Sequence, residues 1–143
     1  MSKFEHLGKL DVKDKNVVDY VIFQIESEPV LKLKPATEAN KPYFNAVLRG
    51  SRKNMRAIRS GSINAIMLEE NRAQDRELFP KHVVAGWEKV TDSDGKPVPF
   101  SEENCQDFLR ALPDWIFDEI RDFAGNAANF VSTGIGAETK PKN

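Results

Sequence analysis

Cysteine is almost absent from this sequence, with Cys105 alone among 143 residues. One thiol cannot close an internal disulfide, and with only His6 and His82 to help it cannot complete a zinc site. Long apolar runs are missing too: nothing approaches the ~20 residues that a bilayer span requires. Charge recurs through the opening of the chain, at Lys3, Glu5, Lys9, Asp11, Lys13, Asp14 and Lys15, which leaves no apolar stretch for a secretory signal and predicts a cytoplasmic protein. Net charge is nearly missing as well, since 21 Lys+Arg stand against 22 Asp+Glu. No phosphate-cradling glycine loop exists, because Gly134 and Gly136 have neither a strand before them nor a helix after.

What is present suits one soluble domain. With 40% apolar and 30% charged residues, the chain is long enough for a continuous core without metal or disulfide staples. The expected class is α+β and mainly α: a small N-terminal β-hairpin over residues 16–34, a helical part over 41–130, and a loose, disordered tail over 132–143, with 1–131 forming the single domain. From Asn16 to Ile25, NVVDYVIFQI is rich in Val, Ile, Tyr and Phe, with Val17, Val21, Phe23 and Ile25 on one alternating face. ESEP turns the chain, and VLKLKP resumes the alternation until Pro35 stops it. Asn40 precedes a short helix with Pro42 in its first turn and Tyr43, Phe44, Val47 and Leu48 on one face. Ser62 can cap a longer helix carrying Ile63, Ile66, Met67, Leu78 and Phe79, which Pro80 interrupts. Val83, Val84, Trp87 and Val90 then recur at helical spacing, which predicts a kink or a fresh helix opened by Pro80, strand being the competing reading. DSDGKPVPFS contains an Asp-Gly turn and two prolines and reads as a structured loop. Ser101 caps a helix that buries Phe108, Leu109 and Leu112, and Pro113 opens another with Trp115, Ile116, Ile120 and Phe123 inward and Gly125 as its stop.

No catalytic constellation emerges. Asp92, Asp94 and Gly95 suggest a calcium loop, but placing Gly95 sixth puts Val90 first and Ser101 twelfth, where acids are required. Cys105 and His82 have no signature around them, and a half-buried structural thiol is the reading taken. Seven acids between residues 102 and 122 are interleaved with apolar residues and read as a solvated face. Arg49, Arg52, Lys53, Arg56 and Arg59 sum to +5, whereas residues 102–122 sum to -5, so the molecule is expected to be strongly dipolar. The basic stretch has no interleaved aromatics, which argues against nucleic acid and leaves a solvated face or a docking surface for an acidic copy or partner. No cofactor or metal is expected.

Residues 71–130 carry a resemblance. HVVAGW with Gly86 and Trp87, the loop holding Asp94, Gly95, Pro99 and Phe100, the EEN after it, LPDWIFDEI behind Pro113, and the closing NF at Asn129 and Phe130 together resemble the tail assembly chaperones of long-tailed bacteriophages. Residues 35–49 are similar to the segment such proteins place ahead of their basic stretch, and residues 1–34 carry no specific match. The resemblance implies a non-enzymatic, largely helical adaptor that binds the tape measure protein, keeps it soluble, helps recruit tail tube subunits, and leaves the finished particle. It also implies a longer frameshifted form altered after Val131. The rivals from other classes are a permanent virion subunit and a nucleic-acid-binding regulator using Arg49 to Arg59. Six of the eleven Phe and Trp residues fall between Trp87 and Phe123, more than two short helices need. Because Trp115 and Phe117 point to different helix faces, at least one is expected to be exposed for a client, with Arg52, Arg56 and Arg59 as further partner-binding candidates and a route to self-association.

Overall fold

The computed structural model describes residues 3–10, 16–51 and 65–131. The fold is α+β and mainly helical. Strands β1 (Val18–Val21) and β2 (Val30–Leu33) form the hairpin, helices α1 (Lys41–Ser51) and α2 (Ala65–His82) follow, and strand β3 (Val84–Glu88) returns to the sheet. Helices α3 (Glu102–Ala111) and α4 (Asp114–Ala124) complete the layer, flanked by short 3-10 turns at Glu5–Leu10 and Ala127–Phe130. The sheet is antiparallel with β2 in the centre, Tyr20 opposite Leu31 on one side and Trp87 opposite Leu31 on the other. None of the described helices is long and apolar enough to cross a membrane. The predicted tail over 132–143 and the Ser62 cap lie outside the described residues.

Three local expectations are corrected. The stretch after Pro80 is strand, not helix, and the helix before it runs past the proline to His82, with the Val83 N–H still donating to the Phe79 carbonyl at 2.9 Å. A proline in the last turn removes one ladder bond at a place where the helix is ending anyway. The helical spacing of Val84 and Trp87 has a different origin: a bulge places Leu33 opposite Val84 and Lys32 opposite Gly86, so Ala85 is the extra residue. That extra residue brings Val84 and Trp87, three apart, onto the same face of the sheet. In β1 the inward face is the even one. Ile22 is fully buried and Tyr20 packs against the core, whereas Val17 and Phe23 are exposed. Along α1 the buried positions are Tyr43 and Ala46, with Leu48 exposed, and on α2 Met67 is inward and Ile66 outward.

Several caps form as the residues dictate. Asn40 accepts from the Tyr43 N–H at 3.3 Å, and its own amide donates to the His82 carbonyl at 2.7 Å, so one side chain closes the start of α1 and the end of α2. Ser101 accepts from the Asn104 N–H at 3.0 Å to start α3. The core under the sheet joins Ile22, Leu31, Leu33, Phe79, Val83, Cys105, Leu109, Phe117 and Ile120. Asn129 donates to the Phe123 carbonyl at 2.9 Å and the Phe130 ring meets Phe123 at 6.2 Å, which seats the closing turn against the end of α4.

The loop after β3 folds over Trp87. Asp92 accepts from the N–H groups of Asp94 and Lys96 at 2.9 and 3.0 Å, and Gly95 takes a φ of 80°, as an Asp-Gly turn requires. The returning strand of the loop supplies the Val98 carbonyl, to which the Trp87 indole donates at 2.9 Å, and Phe100 and Phe108 meet the indole edge-on at 5.2 and 5.4 Å. Trp87 is thus half-buried against the loop and α3, from a strand rather than a kinked helix. Trp87→Ala is expected to cost about 3 kcal/mol, the low end for a large aromatic because the ring keeps some solvent contact, measured by urea denaturation.

A charged seam beneath an exposed tryptophan

Helix α2 carries Arg72, Asp75, Arg76 and Phe79 at the spacing of one helical stripe, and α4 carries Asp114, Asp118 and Arg121 likewise. The structure turns the two stripes toward each other. Arg72 donates to both carboxylate oxygens of Asp118, at 3.0 and 2.8 Å, and Arg121 donates to Asp75 at 2.7 Å and to Asp118 at 3.0 Å. Arg76 donates to Asp114 at 2.9 Å. Asp75 is the one buried charged residue among the described residues, and the Tyr43 hydroxyl donates to its other oxygen at 2.7 Å, bringing α1 into the same network. Burial, with Asp75 alongside, pushes the Tyr43 phenol well above its ordinary value, so it remains a donor. No buried side-chain nitrogen or oxygen among the described residues lacks a partner. Asp118, read from the sequence as part of a solvated face, is therefore a partly buried tie, and Asp114, exposed as that reading has it, is paired at the surface.

Arg76 also serves the corner between α3 and α4. Its guanidinium donates to the carbonyls of Leu109 at 3.0 Å and Leu112 at 2.8 Å, which the end of α3 leaves without helical partners, and lies 5.0 Å above the Phe117 ring. Pro113 occupies the N-cap of α4, and its carbonyl accepts from Ile116 and Phe117, both at 3.1 Å. Trp115 stands in the first turn beyond this clamped corner, 56% exposed, while Ile116, Phe117, Ile120 and Ala124 are buried. Beside the corner, Glu77 accepts from Gln106 at 3.1 Å and from Arg110 at 2.6 Å, another tie between α2 and α3.

The candidate residues from the sequence divide accordingly. Trp115 points outward, which corrects its placement among the inward residues of its helix. Phe117 is fully buried against Phe79, with ring centres 5.4 Å apart, and this removes it as a surface for partners. Arg52, Arg56 and Arg59 lie outside the described residues. Gly86 sits in β3 opposite Lys32, Asp94 and Gly95 form the loop turn, Pro99 presents its carbonyl to the Asn104 amide at 2.9 Å, and Phe100 covers Trp87. Cys105 is buried, and burial pushes its thiol up to about 12, so it stays protonated. A depression of about 200 Å³ lies beside Asp75 and is lined by Tyr43, Val47, Asn71, Gln74 and Arg121; the charged groups there are already paired with each other. Among the described residues no group of three or more His, Cys, Asp or Glu is placed to hold a metal ion. Sequence reading missed the seam, whose available signal was the matching three-and-four spacing of opposite charges on α2 and α4.

Two outcomes follow from the seam. Arg76→Ala should lose about 2 to 3 kcal/mol, since it leaves two helix-end carbonyls without partners, and Arg76→Lys should recover only part of it because a single ammonium cannot reach three acceptors in the same fork; denaturant midpoints measure both. Hydrogen bonds from Arg72, with a contribution from Arg121, hold the Asp118 carboxyl below its ordinary range. A lowered carboxyl contributes stability that is present above the unfolded value, about 3.9 for Asp, and is lost as the pH falls through the folded one. Asp118→Asn should therefore be less stable than wild type at pH 7, with the gap narrowing as the pH drops below about 4, read from urea melts at several pH values.

A family model described as YdaY prophage protein matches residues 38–139, beginning just after β2 and covering the four described helices and β3. No curated protein and no solved structure matches the chain. The sequence resemblance pointed to bacteriophage, and the match supports a phage origin: the chain belongs to the YdaY prophage protein family.

Proposed function

We propose that this prophage protein is a tail assembly chaperone, which binds an apolar helical client of the tape measure type, keeps it soluble, and helps bring tail tube subunits to it. It works in the cytoplasm of the infected host, acts by binding rather than by catalysis, and leaves before the particle is finished. The observation that carries this reading is Trp115. A large aromatic stays in water on a helix whose other apolar residues are buried or half-buried, and it stands on a corner fixed by Arg76. Such a side chain supplies contact area at small entropic cost, which suits an anchor for a helical partner. The family membership and the sequence resemblance support the phage setting, and the pairing of Asp75, Asp114 and Asp118 with arginines supports a scaffold role for these charges.

Co-expression with the tape measure protein of the same phage is the test. Wild type should keep that client in the soluble fraction and co-purify with it. Trp115→Glu should abolish both while changing the chain's own stability by no more than about 0.5 kcal/mol, as for an exposed site. A folded wild-type protein that fails to bind the folded client at any salt concentration overturns the reading. So does its presence at full stoichiometry in mature particles.

A further inference from the structure

The seam balances its own charge. Arg72, Arg76 and Arg121 are spent on Asp75, Asp114 and Asp118, three cations against three acids. Glu119 and Asp122 of α4 stand outside this set: both are exposed, and neither pairs with a cation among the described residues. The Gln24 amide donates to one oxygen of Glu119 at 2.8 Å, a neutral bond that steadies the carboxylate without cancelling its charge.

Trp115, Glu119 and Asp122 are spaced four and then three residues apart, so they share one stripe of α4 that spans two turns, about 10 Å. The neighbours of the helix make that stripe its outward ridge. Asp114, Asp118 and Arg121 turn to α2, while Ile116, Phe117 and Ile120 turn to the core. Phe123 turns to Tyr20 of β1, with ring centres 5.0 Å apart. The ridge left to solvent therefore has an aromatic ring at one end and two carboxylates without cations along the rest.

We propose that this ridge takes a basic amphipathic helix, whose apolar face seats on Trp115 and whose Lys or Arg residues, one and two turns along, meet Glu119 and Asp122. The inference rests on the reading of Trp115 as a client anchor, and it adds the chemistry of the client segment. Charge selects a basic partner: an acidic helix is repelled, and a wholly apolar one would cover two carboxylates without satisfying them. The phosphates of nucleic acid are repelled by the same sign. Backbone chemistry selects a helix. The interior N–H and C=O groups of α4 are used in its own ladder, so the ridge has no edge for an added strand, and a partner must arrive with its own backbone already paired.

Two fluorescein-labelled peptides of about 20 residues, long enough to be helical in water, are the probes. They share an Ala and Leu framework with Leu on one helical stripe, and differ only in whether Lys or Glu flanks it. In fluorescence anisotropy the wild-type chain should bind the Lys peptide about tenfold more tightly than the Glu peptide at low salt, with the gap closing as added salt screens the exposed charges. Glu119→Lys combined with Asp122→Lys should reverse the order of the two peptides, and Trp115→Ala should weaken the Lys peptide by about tenfold. All three positions are exposed, so the thermal melts of these variants should match wild type. A Lys peptide that stays unbound at millimolar concentration overturns the proposal. A preference for Lys that survives the double reversal, or binding indifferent to Trp115→Ala, also overturns it by assigning the contact to another surface. Wild type that solubilises the tape measure protein of the same phage while treating the two peptides alike overturns this inference and leaves the chaperone reading standing. The predicted reversal in a chain that fails to bind the tape measure protein supports the ridge as a basic-helix site and overturns that protein as its client.

Discussion

The guanidinium of Arg76 is the interaction on which the arrangement of the helices depends. Two helices meeting at a two-residue corner leave the last carbonyls of the first without partners, and Pro113, having no N–H, can supply none. Arg76 reaches across from α2 to fill that need and meets Asp114 at the start of α4 in the same reach. With the corner held, the pairing of Arg72 with Asp118 and Asp75 with Arg121 fixes where α4 sits along α2. Phe117 then falls between Phe79 and the two arginines. Desolvation offsets much of the attraction in partly buried ion pairs, so the distinctive consequence of this seam is its register rather than a large gain in stability.

The sheet is attached to this frame by contacts of another kind. Val84 and Trp87 share a face only because of the bulge, and that face packs inward where Trp87 meets Phe108 of α3. On the far side, Tyr20 of β1 meets Phe123 of α4 at 5.0 Å, and the Ala36 N–H donates to the Ala124 carbonyl at 2.8 Å. The hairpin is therefore stitched to the end of α4, although the family match begins after β2. The helical frame and the loop over Trp87 belong to the matched region.

The candidate site was legible in part. That Trp115 and Phe117 occupy different faces follows from a 100° step per residue. Which of them faces out depends on where α2 lies, and α2 hides its intention because its inward stripe is charged. A helix with Arg72, Asp75 and Arg76 looks solvent-facing until α4 supplies partners. The same ambiguity hid the role of Asp118, whereas Asp114, Glu119 and Asp122 of α4 are exposed as a solvated face should be. Within the -5 segment, Asp114 and Asp118 spend their charge on Arg72, Arg76 and Arg121, whereas Arg52, Lys53, Arg56 and Arg59 of the +5 segment lie outside the described residues.

By itself the sequence determined whatever depends on residues a few positions apart. The Asn40 and Ser101 caps, the start of α4 behind Pro113, the Asp-Gly turn at Gly95 and the hairpin from β1 to β2 are of this kind, because a cap or turn is completed by backbone groups within its own first turn. Tertiary structure decided what needs a distant partner. It made residues 84–88 a strand by offering them the open side of β2, chose the even face of β1 by laying α4 against Tyr20, and turned Trp115 outward and Phe117 inward by placing α2 beside α4. Apolar spacing measures only how often a chain wants burial, and a bulge or a paired charge changes which face obtains it.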